Sequence, residues 1–339
     1  MYTIEDISRM TGVGKAIISR YFNGYNVRKK NKLLIEEAVR ETGYMPNESA
    51  RSLRARSTKV IGVIVPTLDD SFTMTIIHNV EVALKDYGYS LFVTDCLSDK
   101  KNELPCVKMM LRKRVDALII LPLTHLDEIY LLTSQNNIPL IVFDQHYEND
   151  AVDFILFEND KGAYRAAEIL IENGHEKTAV LLGPLTDYTP NQRFKGFREC
   201  MQANGIGVRE EYIKVGEDYS MNSGYLGAKE LLQSSDRPTA IFAANYDMTL
   251  GAMKAINEFN LNIPDEISII AFDLMQIHDV IRPPLWTVIQ PLVTIGNKIA
   301  DITMKRVKGE ASNEKIHYIP YEIFEGKSVK NLKRVSELT

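Results

Sequence analysis

Thr11-Gly12-Val13-Gly14-Lys15-Ala16-Ile17-Ile18-Ser19-Arg20-Tyr21-Phe22-Asn23 reads as a tight turn followed by a short amphipathic helix. Val13, Ile17, Ile18 and Tyr21 recur at three- and four-residue steps, which places them on one buried face, while Lys15, Ala16, Ser19 and Arg20 fall on the other. That second face is small, polar and basic, as a DNA major groove requires. An arginine fork at position 20 matches guanine O6 and N7, and an alanine at 16 leaves room for close approach or for a thymine methyl. Upstream, Thr3 and Asp6 have the spacing of a capping box, Ile4, Ile7 and Met10 share a face, and Gly12 closes the segment. Two short helices about a glycine-containing turn predict a helix-turn-helix unit. Pattern alone also admits a small helical bundle over residues 1–43 with no nucleic-acid role.

Working outward, a third helix is expected from Lys30 to Glu41, with Leu33, Leu34, Ala38 and Val39 inward and Gly43 ending it. Arg28, Lys29 and Lys30 stand at its start, where the helix dipole disfavours positive charge. Either a DNA phosphate offsets that cost or the cluster is solvated. Residues 1–59 carry 12 Lys/Arg against 6 Asp/Glu, a net +6, and the remaining 28 against 39 leave the rest at -11. A basic head on an acidic body predicts that only the head meets phosphate. The 339 residues, 45% apolar and 25% charged, suffice for two or three packed domains and exclude a disordered or fibrous chain. Cys96, Cys106 and Cys200 lack metal or CxxC spacing, which favours a reducing compartment. No apolar run approaches a membrane span and the first residues lack the order of a signal peptide, so a cytoplasmic location is expected.

The next segment, from Tyr44 to Arg54, is short and bounded by Pro46, with few apolar residues beyond Ala50 and Leu53; it folds as a helix only if its surroundings help. Here the motifs accumulate: Thr3-Ile4-Glu5-Asp6-Ile7, Gly12-Val13, Ser19-Arg20, Asn23-Gly24, Gly43-Tyr44, Pro46-Asn47 and Ala50-Arg51-Ser52-Leu53-Arg54. Together they resemble the bacterial lac and purine repressor family, and the resemblance continues over nearly the whole chain. It implies a hinge helix that forms on DNA, pairs with its mate and wedges Leu53 into the minor groove beside Ala50. It also implies DNA contacts from Thr3, Gly14, Lys15, Ala16, Ser19, Arg20, Asn23 and Asn47. Gly14 departs from the family's usual serine, removing one hydroxyl that touches phosphate while keeping an acceptable cap.

From Val60 the grammar changes. Apolar runs at Val60–Pro66, Leu91–Thr94, Ala117–Leu121, Leu140–Asp144, Phe154–Phe157, Ala179–Gly183, Ala240–Ala244 and Ile267–Phe272 alternate with amphipathic stretches near 74–87, 103–113, 126–136, 160–173, 192–204, 222–234, 247–259 and 292–308. Continuous apolar strands separated by helices specify parallel sheets covered on both faces, and their number predicts two doubly wound α/β lobes. The resemblance implies lobes like those of periplasmic sugar-binding proteins. The expected organisation is a head over 1–45, hinge helix and linker over 46–59, an N-terminal lobe from 60–157 and 290–319, a C-terminal lobe from 158–289 and 320–332, and a tail over 333–339.

Ligands in such folds bind beyond the carboxyl ends of strands. Asp144, Asn245 and Asp273 each follow an apolar run and are candidates to meet hydroxyls, although an aspartate there is often only a helix cap. By resemblance, Arg193 and Thr189 lie in an effector-binding segment, Tyr219 stacks on a sugar face, and Phe72 and Phe157 line the other lobe. Arg193's planar fork suits paired hydroxyls or a carboxylate. Tyr246 stands where the family has a small acid, and Trp286 replaces a commoner small residue, as packing or as a subunit contact. His146 is either a polar pocket wall or a solvated loop residue.

No phosphate loop, nucleophile elbow or metal-ligand spacing is found, so neither catalysis nor a cofactor nor a metal is expected. The resulting expectation is a homodimeric repressor on a pseudo-palindromic operator, controlled by a sugar or sugar phosphate, with a purine a lesser alternative. The missing terminal heptad favours the dimer over a tetramer. Two other readings stay open: a regulator controlled by a phosphorylated partner protein, and a cytosolic solute-binding module.

Overall fold

The computed structural model describes residues 2–22, 24–45, 57–123, 126–273 and 280–333. They divide into two compact units, one of residues 1–60 with 114–116 and one of 61–113 with 117–339.

In the first unit, helices α1 (Ile4–Thr11), α2 (Lys15–Phe22) and α3 (Lys29–Thr42) enclose a core of Ile7, Val13, Ile18, Ile35 and Ala38. Thr3 and Asp6 form the capping box, satisfying orphan amides at the start of α1. Gly12, at φ 64°, supplies the left-handed residue that ends α1. The turn between α1 and α2 is tied by side chains: Ser8 donates to the Val13 carbonyl at 2.7 Å, and the Thr11 hydroxyl accepts from the Val13 amide at 3.2 Å. The same unit holds the end of the linker, where Asp116 accepts from Thr58 and Lys59. Three inward assignments are corrected: Ile17, Met10 and Leu33 are 36%, 49% and 58% exposed, and Ile35 takes the central place in α3. A three-helix head has too little interior to cover every apolar residue. The expected hinge helix, with Asn47, Ala50 and Leu53, and Asn23 of the head lie outside the described residues.

The second unit has two six-stranded sheets. The first has the order β11-β5-β4-β3-β1-β2, from strands β1 (Val60–Val65), β2 (Ser90–Asp95), β3 (Ala117–Ile120), β4 (Leu140–Phe143), β5 (Asp153–Phe157) and β11 (Ile316–Ile319). The second has the order β12-β10-β9-β8-β6-β7, from β6 (Thr178–Leu182), β7 (Ile213–Val215), β8 (Ala240–Ala243), β9 (Ser268–Phe272), β10 (Trp286–Ile289) and β12 (Glu322–Phe324). Pairing is parallel from β1 through β3, β4 and β5 to β11, with Val63 opposite Ile119, and from β7 through β6, β8 and β9 to β10. β12 joins antiparallel, against β10. Two doubly wound parallel-sheet lobes are therefore present, as expected. All eight apolar runs are strands, while β7, β10, β11 and β12 were not anticipated.

Helices α4 (Ser71–Lys85), α5 (Lys100–Lys113) and α6 (Leu126–Gln135) belong to the first lobe, and α7 (Asn159–Glu172), α8 (Tyr188–Ala203), α9 (Met221–Gln233) and α10 (Tyr246–Glu258) to the second. Helix α11 (Leu292–Val307) follows a second-lobe strand but packs on α4 and on strands of the first lobe. Glycine permits close helix pairing. A Cβ at Gly251 of α10 would lie 2.1 Å from the Met221 carbonyl of α9, which cannot be relieved without moving backbone. A core including Val65, Phe143, Phe157, Phe242 and Phe272 runs through both lobes.

Candidate functional site

On the head, the exposed face of α2 is Lys15, Ala16, Ser19 and Arg20, and Gly14 stands exposed before it. Two of these groups are already oriented. Lys15 pairs with Glu5 of α1, and the Arg20 guanidinium lies 5.8 Å from the centre of the Tyr25 ring. The Tyr21 hydroxyl donates to Glu36 of α3 at 3.3 Å, fixing α2 to the helix behind it. Thr3 is engaged as the cap of α1. The result is a shallow, basic, small-residue surface on a helix anchored from behind, the shape that enters a groove.

In the second unit, two aspartates occupy equivalent places in the two sheets. Asp144 follows β4 and Asp273 follows β9, each after a phenylalanine, with φ of 58° and 62°. Each amide donates to the neighbouring strand, Asp144 to the Ile155 carbonyl at 3.1 Å and Asp273 to the Val288 carbonyl at 2.9 Å. Aspartate adopts the left-handed region more readily than a β-branched residue does, which suits this residue type to a sharp exit from a strand.

Arg193 of α8 ties Asp273 to its neighbours in the second lobe. Its Nε donates to Asn159 at 2.7 Å, Nη1 to the Ala244 carbonyl, and Nη2 to Asp273 at 3.2 Å, while the guanidinium lies 3.7 Å from the centre of the Phe272 ring. At 4% and 9% exposure, Arg193 and Asp273 form a buried ion pair. Gln290, after β10, adds a 2.6 Å hydrogen bond to the same Asp273 oxygen, and its side-chain amide oxygen is buried with no partner among the described residues. Burial pushes the Asp273 carboxyl up, opposed by Arg193 and Gln290. Burial also raises Asp144, to about 7, reinforced by the Asp273 charge and opposed by Arg193 and the Thr189 hydroxyl.

Phe72, Asp144 and Phe157 are brought together, lining one recess with Ile76, Phe143 and Gln290. Thr189 reaches Asp144 from the other lobe, with its hydroxyl 3.1 Å from the carbonyl and 3.3 Å from a carboxylate oxygen. Tyr219 and Asn245 form a separate pair: Asn245 caps α10 and donates to the Tyr219 carbonyl at 3.1 Å, and the Tyr219 hydroxyl donates to Asp187 at 2.5 Å. Tyr246 packs against the core of the second lobe, leaving Asp247 as the acid at that strand end. Burial raises Asp247, and the charge of Asp70 in the first lobe adds to the shift. His146 rests against Phe154 and Tyr188, with ring centres 5.1 and 6.0 Å away. Trp286 is half-buried against the core. Sequence reasoning missed Gln290, Asn159, Asp187 and Asp70. Only Gln290 left a signal, as a polar residue directly after an apolar run.

No group of three or more metal-binding side chains occurs among the described residues, and no described helix is long and apolar enough to cross a membrane. A helix-turn-helix head followed by two parallel lobes, with convergent polar groups at their strand ends, defines a DNA-binding regulator with an effector domain. Comparison with known proteins makes this specific. Residues 3–47 match bacterial regulatory proteins of the lacI family, and residues 58–327 match periplasmic binding proteins and the sugar binding domain of the LacI family. The HTH-type transcriptional repressor PurR of Histophilus somni (strain 2336) is 32% identical over 98% of this chain and 100% of its own, and PurR of Pasteurella multocida 30% over 98% and 99%. The structure of the lac repressor dimer bound to operator and the anti-inducer ONPF superposes with a TM-score of 0.87 at 26% identity, covering 97% of this chain and 99% of that one. The chain belongs to the LacI family of bacterial regulatory proteins and is a DNA-binding transcriptional repressor of that family, a family of regulators rather than enzymes.

Proposed function

We propose that the protein is a cytoplasmic homodimer that represses a carbohydrate-utilisation operon, its hold on a pseudo-palindromic operator set by a neutral sugar in the cleft between the lobes. The observation that carries this reading is the pair of aspartates at the ends of β4 and β9, with the Arg193 fork on Asp273 and the Thr189 hydroxyl reaching Asp144 from the other lobe. Carboxylates held at fixed strand ends accept from paired hydroxyls, and an apolar wall of Phe72 and Phe157 takes the face of a sugar ring. Asp70, Asp144, Asp247 and Asp273 make the surroundings acidic, and the Arg193 donors are already directed at Asn159, Ala244 and Asp273. Arg193, committed to those partners, offers little to a phosphate, so a neutral sugar fits better than a sugar phosphate. Lys15, Ala16, Ser19 and Arg20 supply base choice, and the other head cations supply salt-sensitive affinity. A sugar that binds the two arrangements of the lobes unequally shifts the dimer between them and so changes operator affinity.

A second reading is favoured by the PurR relatives: a purine base, for which Phe72, Phe143 and Phe157 would form the stacking wall. Fluorescence anisotropy on DNA from upstream of the protein's own gene, at two salt concentrations, separates the two. Release or tightening by one neutral sugar, with no effect of purines or sugar phosphates, is the expected result. A response to hypoxanthine or guanine alone would replace the sugar by the purine.

A further inference from the structure

The first lobe contains two cysteines that the effector site does not use. Cys96 directly follows β2 and is 1% exposed, whereas Cys106 on α5 is half-buried and reaches solvent. The chain between them folds back on itself. The Asp99 amide donates to the Cys96 carbonyl at 3.1 Å, and the Asn102 side chain donates to the same carbonyl at 3.1 Å. Cys106 lies four residues beyond Asn102, on the same face of the helix, and so returns over Cys96. Its thiol donates to the Asp95 carbonyl at 3.5 Å, beside the peptide that enters Cys96, which brings Cys106 into the immediate surroundings of Cys96.

We propose that Cys96 and Cys106 are an oxidant-sensitive dithiol that closes reversibly to an intramolecular disulfide and thereby alters effector response. With a hydroperoxide as oxidant, the more exposed Cys106 reacts first. Its thiolate attacks the outer peroxide oxygen, the O–O bond breaks, and the alkoxide or hydroxide leaves with a proton from water, giving the sulfenic acid. Cys96 then attacks that sulfur, forming the S–S bond and releasing water that carries the Cys96 proton. Two thiol hydrogens are lost and one peroxide is reduced. Burial holds the Cys96 thiol up at about 12, with the Cys106 and Glu103 charges adding to the shift, so the second step is the slow one and a resting thiolate at Cys96 is avoided.

The pair is placed to matter for the cleft. The Cys96 amide donates to the Val65 carbonyl at 2.9 Å, the Ser98 amide to Pro66 at 2.7 Å, and Asp95 accepts from the Leu68 amide at 3.3 Å. The segment thus held runs from the end of β1 to Asp70, whose side chain caps α4 and fixes the backbone at Phe72, a wall of the effector recess. Drawing α5 toward Cys96 acts on that segment directly.

The test uses the reduced full-length protein, treated with hydrogen peroxide, quenched in denaturant with an alkylating agent and digested for mass spectrometry. The expected product is a Cys96–Cys106 linked peptide pair, lighter by two hydrogens than the reduced pair, with Cys200 alkylated and the link removed by dithiothreitol. Sulfinic or sulfonic acid at Cys106 with Cys96 still alkylated would overturn the proposal, as would recovery of both as thiols. In the DNA anisotropy assay, the effector concentration for half-maximal response should shift about tenfold or more on oxidation of the wild type, with thiol reduction restoring it; the Cys106→Ser variant should not shift. Because Cys106 is only partly buried and serine is nearly isosteric with cysteine, this variant keeps the fold, and an equal shift in it would sink the functional part of the proposal. The Cys200→Ser variant should shift as the wild type does. Disulfide formation is read without any ligand, so its failure is distinct from a failure of the sugar reading.

Discussion

The Thr189 hydroxyl of the second lobe sits 3.3 Å from the Asp144 carboxylate of the first, and 3.1 Å from that residue's carbonyl, so one donor joins the lobes beside the cleft. It opposes the burial that raises Asp144 to about 7. The sign of the pH effect follows. Between about 4, where a solvated aspartate ionises, and about 7, the folded protein holds a proton the unfolded chain has shed. Stability from this group therefore falls as pH rises through that window. Hydroxyl donors prefer the ionised carboxylate, so effector affinity should rise from pH 6 to pH 8. Calorimetric titration across that range checks it. Thr189→Val should move the midpoint higher, and Asp144→Asn should flatten the profile; a flat profile in the wild type would refute the assignment.

Arg193 compensates a buried carboxylate at 9% exposure, and among the described residues no other cation hydrogen-bonds Asp273. Removing it leaves a charge in the interior. Arg193→Ala should therefore cost about 3–5 kcal/mol of effector-domain stability, readable as a lower urea midpoint with an unchanged slope. Arg193→Lys restores the charge but not the fork that simultaneously reaches Asn159, Ala244 and Asp273, so it should recover part of the stability and little of the effector response. Equal unfolding midpoints for wild type and Arg193→Ala would contradict the buried-pair account.

What could be read from the chain, and what could not, divides along a physical line. Central strands such as Ala117–Ile120 and Ser268–Phe272 are buried on both faces and show as mainly apolar runs. Ile213-Lys214-Val215 and Ile316-His317-Tyr318-Ile319 are edge strands with partly exposed side chains, so their sequences carry no such run. The same holds for the site. Asp144 and Asp273 announce themselves as acids ending apolar strands, but Asn159 meets Arg193 across 34 positions of sequence, and nothing local marks it. On α1, α2 and α3, periodicity located the helices; it misjudged Met10, Ile17 and Leu33 because a short helix does not resolve the edges of its apolar stripe.

Asp116 fastens the end of the linker. One carboxylate accepts from the Thr58 amide at 2.8 Å, the Thr58 hydroxyl at 3.0 Å, the Lys59 amide at 3.1 Å and the Ser57 hydroxyl, and the Thr58 hydroxyl also reaches the Arg114 carbonyl at 2.9 Å. Such charge-assisted bonds to amides are stronger than neutral ones. Asp116→Ala leaves two backbone donors to water and should speed limited proteolysis between the head and Val60 by about tenfold, an increase set by the free energy of local opening. Asp116→Asn, which keeps one acceptor, should fall between. Cleavage at the wild-type rate in both variants would show that the clamp contributes nothing to the linker.

Gly14 leaves the start of α2 without a side-chain cap. Its carbonyl already accepts from the Ile17 amide at 2.8 Å and the Ile18 amide at 3.2 Å, and a Cβ built on it meets nothing within 4 Å. A serine is thus sterically free at this position, and its hydroxyl can accept from an amide of the first turn. Gly14→Ser should stabilise the helix by a few tenths to about 1 kcal/mol, partly by capping and partly by restricting the unfolded chain. Amide hydrogen exchange over residues 15–22 should slow accordingly. Operator affinity should rise as well, because a better-ordered α2 presents Lys15, Ala16, Ser19 and Arg20 at a smaller entropic cost. The substitution adds no charge, so the dependence of log affinity on log salt should keep its slope. Weaker operator binding by Gly14→Ser, with exchange slowed as expected, would mean that this turn approaches DNA too closely for any side chain, and that glycine is selected there for contact rather than tolerated.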